Sequence, residues 1–311
     1  MSIMPFFAAA LLTFQPDISL PSTAAGHQPS AAESIQDEPV DLGEILVEGR
    51  SQDNLVRNFV SEVADPNEGR GLARWDRRVC VGVVNLRRDT AEYIADRIST
   101  VAEDLGIEAG NPGCQPNVLV VATDDPKTLA RILVEQRPRA FRRGASGMDQ
   151  GRSALREFIE ADKPVRWWQV SAPIEAETGG LAVSIPGIEA PPRIRIGGGS
   201  RLRSQIVDYF IKNLIIVDMS RVSQLSIPQL ADYLAMISMA QIDPDADISV
   251  YLSILNVLDD PQRYLSLTEW DQAYLSGVYA ADQTLLNRRA SRTAVSRSII
   301  RAHRNLHETT E

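Results

Sequence analysis

Side chains able to move protons or grip a metal near neutral pH are few in this chain, and their placement excludes most familiar hydrolytic chemistry. The three histidines are His27, His303 and His307, so none lies between residues 28 and 302. A Ser-His-Asp or Cys-His arrangement and an HExxH zinc helix are therefore ruled out of the body of the chain unless a terminus folds back onto it. The two cysteines, Cys80 and Cys114, lack the C-x-x-C spacing of a redox pair and read as a structural disulfide. Asp243, Asp245 and Asp247 stand at alternate positions, as at the start of a calcium loop, where such side chains converge on one ion. Ile248 then occupies the position that needs glycine and Ile254 the position of the closing glutamate, which favours an acidic loop that ends a helix. Gly197-Gly198-Gly199-Ser200 could cradle an anion through its amides, with Arg195, Gly198, Gly199 and Arg201 as the contacts. It lacks the Gly-Lys-Ser/Thr ending of a phosphate loop, and a plain turn is the competing reading. Gly144-Ala145-Ser146-Gly147-Met148 misses G-x-S-x-G at its last position. Asp259 with Asp260, or Glu269 with Asp271, have no spacing that sets them apart from surface pairs. No nicotinamide or flavin fingerprint is present, and no cofactor is expected.

The elements that must carry these residues are legible from apolar runs and caps. Val79-Cys80-Val81-Gly82-Val83-Val84 and Asn117-Val118-Leu119-Val120-Val121-Ala122 read as buried strands. Between them runs a helix, opened by Asp89 with Glu92 as an acidic capping box and stopped at Gly106. This is a strand, helix, strand unit with two parallel strands. Cys80 begins the first strand and Cys114 precedes the second, so both fall at one edge of the sheet. A disulfide across this separation stabilises by roughly 3 to 4 kcal/mol in the chain-entropy model. A short helix over 53–63 precedes the unit. After it come a helix from Asp125-Pro126 with Leu129, Ile132 and Leu133 inward, a helix over 149–161, and a strand at Val165-Arg166-Trp167-Trp168-Gln169-Val170. Trp167 and Trp168 point to opposite faces, so one at most belongs to the core.

Leu214-Ile215-Ile216-Val217-Asp218-Met219 is a further buried strand, and Ser226-Ile227-Pro228-Gln229 opens the helix on which the chain is centred. Leu230, Tyr233, Leu234 and Ile237 give that helix one face for the core. Thr268, with Asp271 three residues on, caps another helix whose buried face is Trp270, Tyr274, Leu275 and Val278. Residues 173–200 suggest a hairpin between Leu181-Ala182-Val183 and Arg193-Ile194-Arg195-Ile196. The last helix, over 283–306, is basic and amphipathic: Val295, Ile299, Ala302 and Leu306 form a stripe opposite Arg297, Arg301 and Arg304. It reads as a docked terminal helix, with peripheral contact to an anionic membrane as the sharper alternative.

Charge and composition place the chain. Of its net charge of −9, the first 49 residues hold most, because they contain acids and no Lys or Arg. The apolar segment Pro5-Phe6-Phe7-Ala8-Ala9-Ala10-Leu11-Leu12, too short to span a bilayer, followed by Ser22-Thr23-Ala24-Ala25, reads as a signal peptide over 1–25. An acidic linker rich in small residues is expected over 26–50, with one short strand near Glu44-Ile45-Leu46-Val47-Glu48-Gly49-Arg50, then an α+β domain over 51–282 and the basic helix and tail over 283–311. Arg137 to Arg143 form a basic cluster around Phe141; nucleic acid is its sharp reading, but it reads as a solvated loop answering nearby acidic residues, and no nucleic acid partner is expected.

The Cys80 strand, Gly113-Cys114-Gln115-Pro116-Asn117-Val118, Gln229-Leu230-Ala231-Asp232-Tyr233 and Leu267-Thr268-Glu269-Trp270-Asp271 with Leu275 and Tyr279 resemble a family of exported proteobacterial proteins of no known activity. The resemblance covers about residues 45 to 285. More distantly, the order of elements is similar to predicted bacterial lipoproteins with a zincin-like domain, in which the helix after the edge strand reads His-Glu-Glu-Leu-Ala. Here Ala231-Asp232-Tyr233-Leu234-Ala235 stands in its place, which implies a kept fold whose metal-binding histidine has become alanine.

The expectation is an α+β fold with a mixed, partly parallel sheet of about four to five strands, flanking helices and a helical C-terminal part. The function expected is that of an exported periplasmic or secreted protein, non-enzymatic, with a binding or structural role and a partner in the cell envelope. A hydrolase built on a pair of carboxylates, as in glycosidases, is the alternative, since it needs neither His nor Cys. A calcium- or lipid-surface-binding protein comes third.

Overall fold

The computed structural model describes residues 49–141, 147–183, 203–285 and 288–310. Its sheet has four strands: β1 (Val81–Val84), β2 (Val118–Thr123), β3 (Val165–Glu175) and β4 (Ile206–Asp218), in the order β1-β2-β4-β3. β1, β2 and β4 run parallel, with Val81 beside Val118 and Val118 beside Asn213, and β3 returns antiparallel along β4. The fold is thus α+β with a mixed sheet and flanking helices.

Both faces of the sheet are covered, and the alternation along β4 decides which residue goes where. Ile215 and Val217 enter a core shared with α1 (Gly49–Val63), α2 (Arg88–Asp104), α6 (Ile227–Met239), α7 (Glu269–Ala280) and α8 (Arg288–Thr310). Leu214 and Ile216 enter a second core with α3 (Pro126–Gln136), α4 (Pro138–Phe141) and α5 (Gly151–Glu160). The tryptophans follow that alternation as expected: Trp168 is buried in the second core, while Trp167, half-buried, packs on the first and donates its indole N–H to Ile242 O at 3.1 Å. Two covered faces give two neighbouring tryptophans each a place to pack.

α6 is the largest departure from the expected pattern. It is buried on every side from Gln229 to Met239, not along one stripe. A helix without a solvent face must satisfy its terminal backbone groups inside the protein. At its N-terminus Ser226 Oγ accepts from Gln229 N and Gln229 Oε1 from Ser226 N, a complete capping box. At its C-terminus side chains distant in sequence donate to the last carbonyls: Gln169 and Asn213 to Ile237 O, Trp75 to Ser238 O, and Tyr279 to Met239 O. Gln169 also reaches Ala240 O at 2.8 Å.

The Thr268–Asp271 capping box is present as expected, with Asp271 also accepting from Ser253 Oγ at 2.5 Å and Ile254 N at 2.8 Å. The Cys80–Cys114 disulfide is formed at the mouth of β1 and β2. Two other expectations are corrected. α2 begins at Arg88, so Asp89 sits within the first turn and caps nothing, while Glu92 pairs with Arg88 Nε at 2.7 Å. The inward face of α3 is Pro126, Ala130 and Val134; Ile132 is exposed, and Leu129 and Leu133 are half-buried. Of the strand expected near Glu44, Gly49 and Arg50 instead open α1, and the rest lies outside the described residues. The leader, the linker and the second arm of the hairpin also lie outside them; its first arm contributes Leu181, bridged to Ile174.

Candidate functional site

Ala231 and Asp232, which the zincin-like resemblance sets in place of a metal-binding histidine and an acid, lie in the interior. Ala231 is fully buried. Asp232 Oδ1 pairs with Arg97 Nε, and Oδ2 accepts from Leu267 N at 2.8 Å. Both carboxylate oxygens are therefore engaged in joining α6 to α2 and to the segment before α7.

The acidic loop is placed in separate turns. Asp243 Oδ1 accepts from Asp245 N at 2.8 Å, Asp245 pairs with Lys163, and Asp247 Oδ1 accepts from Ser249 Oγ at 2.7 Å. Among the described residues, no group of three or more His, Cys, Asp or Glu side chains is arranged to hold a metal ion. Arg195, Gly198, Gly199 and Arg201 lie outside the described residues. Of the α8 stripe, Val295 and Ile299 are buried, as the docked terminal helix requires.

The structure brings together residues that the sequence reading did not single out. A cleft of about 360 Å³ opens between the 66–72 loop, the start of β4, the end of α7 with residues 281–285, and α8. Asp208, on β4, lines it and is buried. Its Oδ2 accepts from Gly71 N at 3.2 Å, and Arg70 Nε stands 3.8 Å from Oδ1, too far for a hydrogen bond. Burial raises the Asp208 carboxyl above the usual range, and Arg70 and the Gly71 amide oppose that rise without cancelling it.

Two further lining side chains reach into the same region. Gln283 donates through Nε2 to Leu72 O at 3.0 Å and Asp208 O at 3.4 Å, and Asn67 donates through Nδ2 to Gly147 O at 2.9 Å and Ser171 Oγ at 3.0 Å. These bonds fix which end of each amide is oxygen. Asn67 Oδ1, Asp208 Oδ1 and Gln283 Oε1 are all buried and, among the described residues, have no hydrogen-bond donor. A buried acceptor left unmatched costs about 1 to 3 kcal/mol, and three such oxygens belong to residues that line this one cleft, where donors from water or a ligand could match them.

The other carboxylates at the cleft differ in kind. Asp282 Oδ1 accepts from Thr284 N at 2.9 Å and Thr284 Oγ1 at 2.7 Å, which holds its carboxyl below the usual range, and Glu68 is exposed. The cleft thus carries one raised and one lowered carboxyl, together with an exposed acid at its rim. One signal of it was present in the sequence: Asp208 is a lone acid inside the apolar alternation Ile206-Val207-Asp208-Tyr209-Phe210. No protein-family model, curated protein or solved structure matches the chain.

Proposed function

We propose that this chain is an exported, non-enzymatic binding protein of the cell envelope, and that the cleft at Asp208 holds a small ligand through the ligand's own N–H or O–H groups. The observation that carries this reading is the set of three buried oxygens, on Asn67, Asp208 and Gln283, without donors among the described residues. The composition of the leader supports export, and the disulfide suits an oxidising compartment. The paired-carboxylate hydrolase is the second reading, because a raised Asp208 and a lowered Asp282 on one cleft make the split that a general acid and its partner carboxylate need.

Thermal shift with spermidine as an ammonium probe and sorbitol as a hydroxyl probe tests the reading, because a ligand that prefers the native state raises Tm by mass action. One of the two should raise Tm, and Asp208→Ala should abolish that rise. Asp208→Asn keeps an oxygen but loses the charge, so it should spare only the hydroxyl probe. Absence of any shift, together with cleavage of a polysaccharide panel, would return the hydrolase reading. Cell fractionation that finds the chain in the cytoplasm would overturn export.

A further inference from the structure

A second site rests on charge, not on orphaned acceptors, and is independent of the cleft. α8 contains six arginines against one acid, Glu308. Arg297, Arg301 and Arg304 follow at spacings of four and three, which gathers them within an arc of about 60° on one side of the helix. The buried residues Val295 and Ile299 hold α8 by its other side, so the arginine face is turned outward. Arg57 of α1 joins the three from across the groove between the helices, and together with Asp53 and Ile300 they line a cavity of about 310 Å³.

Several arginines elsewhere have acids to answer them. Arg78 pairs with Glu108, Arg97 with Asp232, Arg131 with Glu160 and Arg221 with Asp162. In the groove, Arg57 alone has a carboxylate, with Asp53 Oδ2 at 3.8 Å. Among the described residues, no carboxylate stands within ion-pair distance of Arg297, Arg301 or Arg304. Four like charges around one concavity repel one another, and a multivalent anion removes that repulsion while accepting hydrogen bonds from several guanidinium groups. Arginine matches the oxygens of a phosphate group in a way that lysine, a point charge, does not.

We propose that the groove between α1 and α8 binds phosphate groups, four guanidinium groups converging on one anion. The source is either a soluble phosphate compound or the headgroup of an anionic lipid, and one experiment separates them. The full chain is titrated calorimetrically with inorganic pyrophosphate and, in parallel, floated with vesicles of phosphatidylglycerol or of phosphatidylcholine. At least one of pyrophosphate and phosphatidylglycerol should bind, and phosphatidylcholine should not.

Arg297→Ala/Arg301→Ala should weaken that binding roughly tenfold or more. Arg78→Ala/Arg88→Ala removes the same charge from exposed sites elsewhere and should leave binding within about twofold of wild type. Arg57→Ala/Arg304→Ala, taken from both helices, should repeat the loss and serves if the first pair perturbs α8. Binding of pyrophosphate alone identifies a soluble ligand; binding of phosphatidylglycerol alone identifies a headgroup. Failure of both to bind, or equal weakening by the groove pair and the control pair, overturns the proposal, since the effect would then belong to net charge.

Discussion

Replacing Asp232 tests whether the acid at the heart of α6 serves structure. Asp232→Ala leaves the buried Leu267 N–H without its acceptor and Arg97 without its partner. An unmatched buried donor costs about 1 to 3 kcal/mol. Breaking a fully buried ion pair costs about 3 to 5 kcal/mol, but the Arg97 side chain is 33% exposed and can turn to water, so its share is smaller. Together the substitution should destabilise by about 3 kcal/mol, or roughly 6 to 12 °C in Tm for a body of this size. Asp232→Asn keeps an oxygen for Leu267 N and loses only the charge, which should cost about 1 kcal/mol. Urea unfolding measures both, with an unchanged m value as the control that the midpoint alone has moved. A double-mutant cycle with Arg97→Ala then isolates the pair, and the effects of the two single changes should fall short of additivity. If Asp232→Ala is as stable as wild type or more so, the acid is not a structural strut, and the assignment of its two oxygens to α2 and Leu267 is wrong.

Gly277 lets α8 lie against α7: a Cβ there would stand 2.3 Å from Ile299 Cγ1 and 2.6 Å from its backbone nitrogen. Gly277→Ala should therefore loosen α8, with faster amide exchange along it and a stability loss of about 1 to 3 kcal/mol. A gain of about 1 kcal/mol, as helix propensity alone would give, would refute the close approach. Asp65 provides a pH test, because burial and then the charges of Asp243 and Asp245 push its carboxyl up to about 6. Below the unfolded value near 4 the protonated group carries no penalty; as pH rises through about 6 the folded state must ionise it, and stability is lost. Asp65→Asn should match wild type at low pH and exceed it by about 1 kcal/mol above the window, a figure already discounted for solvent screening. Guanidinium unfolding at a series of pH values checks this, and a constant gap across the window would contradict it.

The amino-acid sequence by itself determined what depends on neighbours along the chain. The runs of β2 and the later half of β4, the capping boxes of Ser226 with Gln229 and Thr268 with Asp271, and the stop at Gly106 all rest on bonds or periodicities within a few residues, and each is present. The disulfide was legible because the parallel strands it joins fix where the cysteines fall. The helix start at Arg88 was misplaced because the sequence offers an acid near the boundary but does not say which residue leaves the helical conformation first. Tertiary structure alone decided that α6 has no solvent face, since that requires donors from Trp75, Gln169, Asn213 and Tyr279, scattered over two hundred residues. The same holds for both sites. Asn67, Asp208 and Gln283 meet at one cleft, and Arg57 meets α8, only because the chain closes over long separations. A side chain's type states what chemistry it could do. What it does depends on which distant atoms the packed core sets beside it, and no local pattern encodes that.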